Sequence, residues 1–483
     1  MSENIPVKQI DPNEEIATEA VELQEYNLYA KREKIYTRAI KGVYQQLRAY
    51  TGWLLIIAYF GTSWLSWDDR QAVLFDLPTQ KFYIFGLTFW PQDFVLLSSL
   101  LIICAFGLFT ITVLFGRVWC GYTCPQTAWT FAFMWVEELT EGSRNARMKL
   151  DNAPWSLEKF LRKTAKHVLW LGFAGLTAIA FVGYFTPIKE LTLNVVTLDW
   201  GLIGGWSLFW LAFFTLATYG NAGWLREQVC IYMCPYGRFQ GVMFDPDTLI
   251  VSYDVKRGES RGSRKRGIDH KEQDLGDCID CGMCVQVCPT GIDIREGLQY
   301  ECITCALCID ACDSVMDKMN YDKGLIRYTT EHELQGQKTN IYRPRMIAYM
   351  LMLFTMIGLF AYTITTRVPL ELDVLRDRTD LFRHNSMGLV ENVYTLQVSN
   401  KSQIDRIFKI SFSGLDQATL TGENKVSVQA GESLTHPISL AIDPARLELP
   451  NQKIIFQVVA TDDDAVVSEE ESRFIGPSRR APY

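Results

Sequence analysis

Eight of the chain's 13 cysteines fall between residues 278 and 312, in the runs DCIDCGMCVQVCPTGIDI and ECITCALCIDACD. The first run is Cys278-x2-Cys281-x2-Cys284-x3-Cys288-Pro289, and the second is Cys302-x2-Cys305-x2-Cys308-x3-Cys312. Two-residue loops let three thiolates cap one face of an iron–sulfur cubane. The three-residue step turns the fourth thiol toward a neighbouring cluster. The expected sets are therefore crossed. Cys278, Cys281, Cys284 and Cys312 would hold one [4Fe–4S] cluster, and Cys302, Cys305, Cys308 and Cys288 the other. Structural zinc usually takes its thiols in two separated pairs, a pattern these runs lack.

Four more cysteines form a matched set. WCGYTCP at 119–125 and VCIYMCP at 229–235 each contain Cys-x3-Cys-Pro: Cys120, Cys124 and Pro125, then Cys230, Cys234 and Pro235, 110 residues on. On a helix, thiols four residues apart share a face, and the proline is expected to stop or kink the turn. If the two segments are an internal duplication packed about a local two-fold, four thiols converge. Four soft ligands suit Cu(I) or an iron–sulfur cluster; the plainer alternative is small buried packing residues. Cys104 has no partner and reads as a packing residue, and Met134, Met233 and Met243 as membrane-helix filling. Clustered metal-ligand cysteines point to a reducing compartment.

The elements that must carry these thiols are apolar. Five stretches lack charge for about the length a helix needs to cross a membrane: 49–67, 94–115, 168–188, 200–225 and 346–366. Trp53, Trp64, Trp67, Trp200 and Trp206 lie near run ends, where aromatic belts form. Seven Lys and Arg precede the first stretch and eight lie in 116–167, against two in 68–93 and one in 189–199. The positive-inside bias then makes the N-terminus and the cysteine-rich loop cytoplasmic and the C-terminus periplasmic. Residues 118–136 are also uncharged. Reading them as a sixth span would put Arg144, Arg147, Lys149 and their neighbours outside, so they are expected to be re-entrant or interfacial.

The expected organisation is a multi-domain membrane protein. A cytoplasmic segment, 1–48, is polar and shows no cleavable signal peptide. Residues 49–245 form four transmembrane helices with both Cys-x3-Cys-Pro motifs, and 246–345 an inserted cytoplasmic double [4Fe–4S] ferredoxin-like domain. Residues 346–366 form a fifth transmembrane helix. In 371–483, VYTLQVSN, FKISFSG, KVSVQAG, HPISLAI and IIFQVVA alternate apolar and polar residues, which suggests a periplasmic immunoglobulin-like β-sandwich. The formal net charge of −8 is spread out and suggests no nucleic-acid partner. The basic run 256–271 is expected to meet anionic lipid headgroups, or to dock an acidic electron donor.

In this order, the features resemble the cytochrome c oxidase accessory proteins of the FixG/CcoG type, membrane polyferredoxins. The resemblance covers nearly the whole chain and rests most specifically on WCGYTCPQTAW, VCIYMCPYGRFQG, the double ferredoxin motif and the C-terminal β-domain. One departure from bacterial ferredoxins is Asp313, where proline is usual; a carboxylate there would tend to lower a cluster's potential. The resemblance implies an inner-membrane protein that reduces Cu(II) to Cu(I) for assembly of cbb3-type oxidase. A cytoplasmic electron donor and oxidase assembly factors, copper transporters or chaperones would be its partners. It matches Cys278, Cys281, Cys284, Cys288, Cys302, Cys305, Cys308 and Cys312 to cluster cysteines, and Cys120, Cys124, Cys230 and Cys234 to membrane cysteines, with copper the expected cargo. A quinol dehydrogenase-type membrane ferredoxin and a non-enzymatic assembly scaffold are the alternative readings.

Overall fold

The computed structural model describes residues 34–477 apart from Asp69, 267–273, Arg378, Gln403 and Glu448. Most of the N-terminal segment and the 267–271 end of the basic run lie outside the described residues. The chain forms two compact units, Met1–Leu65 with Ser98–Ile357 and Ser66–Leu97 with Gly358–Tyr483.

The principal helices are α1 (Val43–Trp64), α2 (Phe94–Phe115), α3 (Pro125–Glu141), α4 (Leu157–Val182), α5 (Gly205–Thr218), α6 (Leu307–Met319) and α7 (Pro344–Thr365). Among the described residues, α2, α4 and α7 are long and apolar enough to cross a membrane. Five stretches were expected to meet that measure, so two fall short. Helix α1 opens on the polar run VYQQLR, which includes Arg48. Helix α5 has only 14 residues before the chain passes into a π-helical turn, Tyr219–Leu225.

In the first unit α3 packs against α1 and α4. The Phe133 and Trp170 rings lie 5.4 Å apart, and the Trp170 indole donates to the Phe133 carbonyl at 3.0 Å. At the end of α3, Glu137 and Glu141 are fully buried. Arg147 and Arg226 both donate to Glu137 Oε2, at 2.9 and 3.0 Å, and Lys166 lies 2.8 Å from Glu141. Part of the basic excess read as an orientation signal is thus consumed by buried pairing, which local sequence does not reveal.

The cysteine-rich part is closed by an antiparallel pair, β1 (Ile250–Tyr253) and β2 (Ile326–Thr329), over a core that includes Val251, Ile309, Met316 and Ile326. It holds the start of α1 directly. Asp310 on α6 accepts from the backbone N–H groups of Tyr44 and Gln45, at 3.3 and 2.7 Å. Those N–H groups are orphans of a helix start whose own N-cap, Gly42, offers no side chain.

The second unit is a two-sheet sandwich. One sheet orders Thr419–Thr421, Ser433–Ile442, Val390–Asn400 and Leu370–Arg376; the other orders Lys425–Val428, Arg406–Ser413, Asn451–Ala460 and Val467–Ile475. Tyr394, Leu396, Phe408, Phe456 and Phe474 are fully buried between them. All five expected strand stretches lie in this sandwich. Three flanking strands lie outside those stretches: Thr419–Thr421, and LELDVLR at 370–376 and VSEEESRFI at 467–475, the last two strongly charged, as edge strands often are. A three-stranded insert, Val73–Asp76, Lys81–Ile84 and Leu87–Phe89, also folds with this unit where a plain connection was expected. Asp93 behind it pairs with Arg367 and, at 3.1 Å, with Lys401.

Candidate metal centres

The two Cys-x3-Cys-Pro segments have one local geometry. Cys120 lies in a single helical turn, Val118–Tyr122, and Cys230 in a π-helical turn, Val229–Met233. The N–H of Cys124 reaches five residues back to the Trp119 carbonyl at 2.9 Å, and that of Cys234 to Val229 at 2.8 Å. Both second cysteines are extended, with φ/ψ of −68/128° and −78/113°, and each is the N-cap of a helix whose first residue is the proline. The turn stops before the proline, as expected, but the expectation that the two thiols share one helix face is corrected. Proline disfavours helical backbone at the residue before it, while its fixed φ suits the first position of a new helix. The thiols of each pair therefore sit on either side of a break, not on one helix face.

All four still share a neighbourhood. The Cys120 sulfur lies within electrostatic reach of Cys124, Cys230 and Cys234. Among the described residues, no three His, Cys, Asp or Glu side chains close tightly enough to cage a single metal ion. The quartet is an open set of thiols.

The ferredoxin-like cysteines line two small cavities. Cys278, Cys281, Cys284 and Cys312 line one, together with Val315, Met316 and Ile326. Cys288, Cys302, Cys305 and Cys308 line the other, with Cys284 shared and Ile303 and Leu307 completing the wall. The loops around them repeat a strained backbone. Asp280 and Gly282 have φ of 53° and 64°, and Thr304 and Ala306 have 54° and 60°. L-residues seldom hold the left-handed region; alternated in this way it turns successive N–H groups inward as a nest for an anionic centre. The Cys302 sulfur accepts from the Thr304 N–H and the Cys305 sulfur from that of Leu307. Burial pushes the Cys284 thiol up to about 11 and the Cys302 and Cys312 thiols up to about 12. Loading such a site releases protons, because only thiolates ligate. Four soft donors around an apolar cavity with inward N–H groups fit a [4Fe–4S] cluster. Asp313 is engaged by the Gly324 N–H at 2.9 Å.

Cys120 packs against the buried cluster of Val287, Ile303, Cys305, Leu307 and Ala311, three of which line the second cavity. Three residues at this junction escaped the sequence reading. Arg117, 6% exposed, donates to the carbonyls of Tyr300, Cys302 and Gly237. Gln240, 1% exposed, lies beside the Cys120 sulfur at 3.7 Å. Gly121 meets the Ile303–Cys305 backbone. The available signal was the lone Arg117 between an apolar run and the first cysteine. Cys104 lies exposed on α2.

A double-cluster domain carried on apolar helices, with a β-sandwich after it, defines a membrane-associated iron–sulfur redox protein. Family models agree: a 4Fe-4S dicluster domain matches residues 225–331, a 4Fe-4S binding domain 98–135, and the IG-like fold at the C-terminal of FixG 360–477. The chain is 38% identical over 434 residues to the nitrogen fixation protein FixG of Rhizobium meliloti, covering 81% of this chain and 82% of that one. It is also 38% identical to protein RdxB of Cereibacter sphaeroides, over 86% and 90% of the two chains. A crystal structure of a FixG-related protein from Vibrio parahaemolyticus is 36% identical, covering 22% of this chain and 95% of its own, with a TM-score of 0.21. The chain belongs to the FixG family.

Proposed function

We propose that the chain is a membrane-bound one-electron reductase whose substrate is Cu(II). The ion takes one electron at Cys120, Cys124, Cys230 and Cys234 and leaves as Cu(I), for the copper centre of a cbb3-type cytochrome c oxidase. Cys278, Cys281, Cys284 and Cys312 would hold one [4Fe–4S] cluster, and Cys302, Cys305, Cys308 and Cys288 the other. Bound there, the clusters supply single electrons at low potential. The chain's own residues do the rest. Thiolates prefer Cu(I), so the product state is favoured at the quartet. The observation that carries the reading is the packing of Cys120 against a buried cluster that includes residues lining the second cavity. In this reading the chain crosses the inner membrane five times. The N-terminus and ferredoxin-like domain are cytoplasmic, where a soluble donor supplies electrons. The β-sandwich is periplasmic, beside assembly factors or a copper carrier.

The test is Cu(I) formation, trapped by a chelator, from anaerobic protein reduced in advance. Cys120→Ser with Cys124→Ser should abolish it and leave the iron content unchanged. Undiminished formation would remove the quartet from the reaction. A second reading has one observation behind it: the 4Fe-4S binding domain model covers Cys120 and Cys124, so the quartet would hold a third cluster.

A further inference from the structure

Among the described residues, Arg117 is a buried cation whose hydrogen-bond partners are all neutral. Its Nη1 donates to the Tyr300 carbonyl and, at 3.2 Å, to that of Cys302; Nη2 donates to Gly237 at 2.8 Å. The guanidinium lies 4.8 Å from the centre of the Tyr300 ring. With the Gln240 amide turned so that its oxygen faces Arg117, that oxygen accepts from Nε at 2.8 Å and Nη2 at 2.9 Å. The amide NH2 then faces the Cys120 sulfur at 3.7 Å. These partners come from the ferredoxin-like loop at 300–302 and from the helix that follows the second cysteine pair. Arg117 itself starts the first pair's segment. One guanidinium therefore ties together all three parts that carry sulfur.

Carbonyls and an aromatic face satisfy the hydrogen bonds of a guanidinium but do not neutralise it, and a buried charge without a counter-charge is costly. The sulfurs are placed to supply that charge. Cys120, Cys230 and Cys302 all lie within electrostatic reach of Arg117.

We infer that Arg117 is a positioning residue of the redox path: it clamps the Cys302 loop to the thiol quartet, and its charge favours the reduced state of the centre beside it. This rests on the reading that the two cavities hold iron–sulfur clusters. The centre in the Cys288, Cys302, Cys305 and Cys308 cavity would have its potential raised by this cation. The centre in the Cys278, Cys281, Cys284 and Cys312 cavity, farther along the domain, would not. An electron entering the domain would then come to rest next to Cys120.

The test is an EPR-monitored redox titration of the full-length protein without copper. Arg117→Gln removes the charge. Gln240→Glu keeps the side-chain shape and sets a carboxylate against Arg117. Each should lower the reduction equilibrium constant of one centre at least tenfold, about 59 mV for one electron, and leave the other unmoved. Arg117→Lys, which keeps the charge, should stay within about twofold of wild type on the same scale. If Arg117→Gln loses iron, Gln240→Glu decides alone. Unmoved potentials, two centres shifting together, or a lysine variant that shifts as far as the glutamine one would overturn the inference. Because copper is absent, failure of the copper reading leaves this result unchanged, and protein without iron would sink the cluster reading instead.

Discussion

Gly121 lies backbone to backbone against Cys305. A Cβ added at Gly121 would sit 2.9 Å from the Ile303 carbonyl oxygen and 3.0 Å from the Cys305 Cα. Neither atom belongs to a flexible side chain, so the contact leaves no room for even a methyl group. It fixes how closely the first thiol pair approaches the second cavity.

Gly121→Ala should therefore push the two segments apart at a cost of about 1–3 kcal/mol, the usual range for overpacking. The eight ferredoxin-like thiols are untouched, so iron content should stay at the wild-type level while Cu(I) formation slows. Thermal unfolding and the trapped-Cu(I) assay on one preparation check both halves.

The crossed ligand sets make a sharp prediction about two serine variants. Cys312→Ser should remove the centre of the Cys278 cavity, and Cys288→Ser that of the Cys302 cavity, although each cysteine belongs by sequence to the other run. Each variant should lose about four irons. Their EPR spectra should retain complementary signals; the same signal surviving in both would refute crossing.

Glu137 connects acid stability to the charge cluster. Burial pushes its carboxyl up, but Arg226, Lys34, Arg147 and Lys166 together hold it well below the ordinary 4.5, at about 2. The folded value is lower than the unfolded one. Its stabilisation is therefore complete above about pH 4.5 and lost as pH falls toward 2. Glu137→Gln leaves Arg147 and Arg226 without their anion and should cost about 3–5 kcal/mol at neutral pH. That deficit should shrink across the acid window, as read by melting temperatures from pH 7 down to 3.

In the second unit, Asp93 is largely buried and joins Arg367 and Lys401. Asp93→Ala should destabilise this unit by about 3–5 kcal/mol. Iron content and cluster spectra should not change. Limited proteolysis near residues 66–97, with iron analysis alongside, separates the two effects.

What could be read from the sequence follows from how local each determinant is. The spacing of the ferredoxin-like thiols is local, so the cluster motif can be read from one short window. The sandwich strands with alternating apolar residues were legible, whereas Leu370–Arg376 and Val467–Ile475 hide under charge. The break before Pro125 and Pro235 is legible from proline itself, but the separation of the two thiols is not, because proline also starts the next helix. The partners of Arg117 lie 120 to 185 residues away, and Glu137 draws on Lys34, Arg147 and Arg226. No window of sequence holds such a set. The two stretches that fell short, 49–67 and 200–225, fail for polar residues in α1 and for the early end of α5.

In the proposed function, copper meets this iron–sulfur protein at the thiol quartet. The most direct measurement is iron and copper analysis with EPR on anaerobically purified protein exposed to copper and washed. Wild type is set beside the variant with Cys120, Cys124, Cys230 and Cys234 all changed to serine. Both should hold about eight irons, with copper retained by the wild type alone. About twelve irons falling to eight would contradict the proposed function, and would make the quartet the seat of a third cluster.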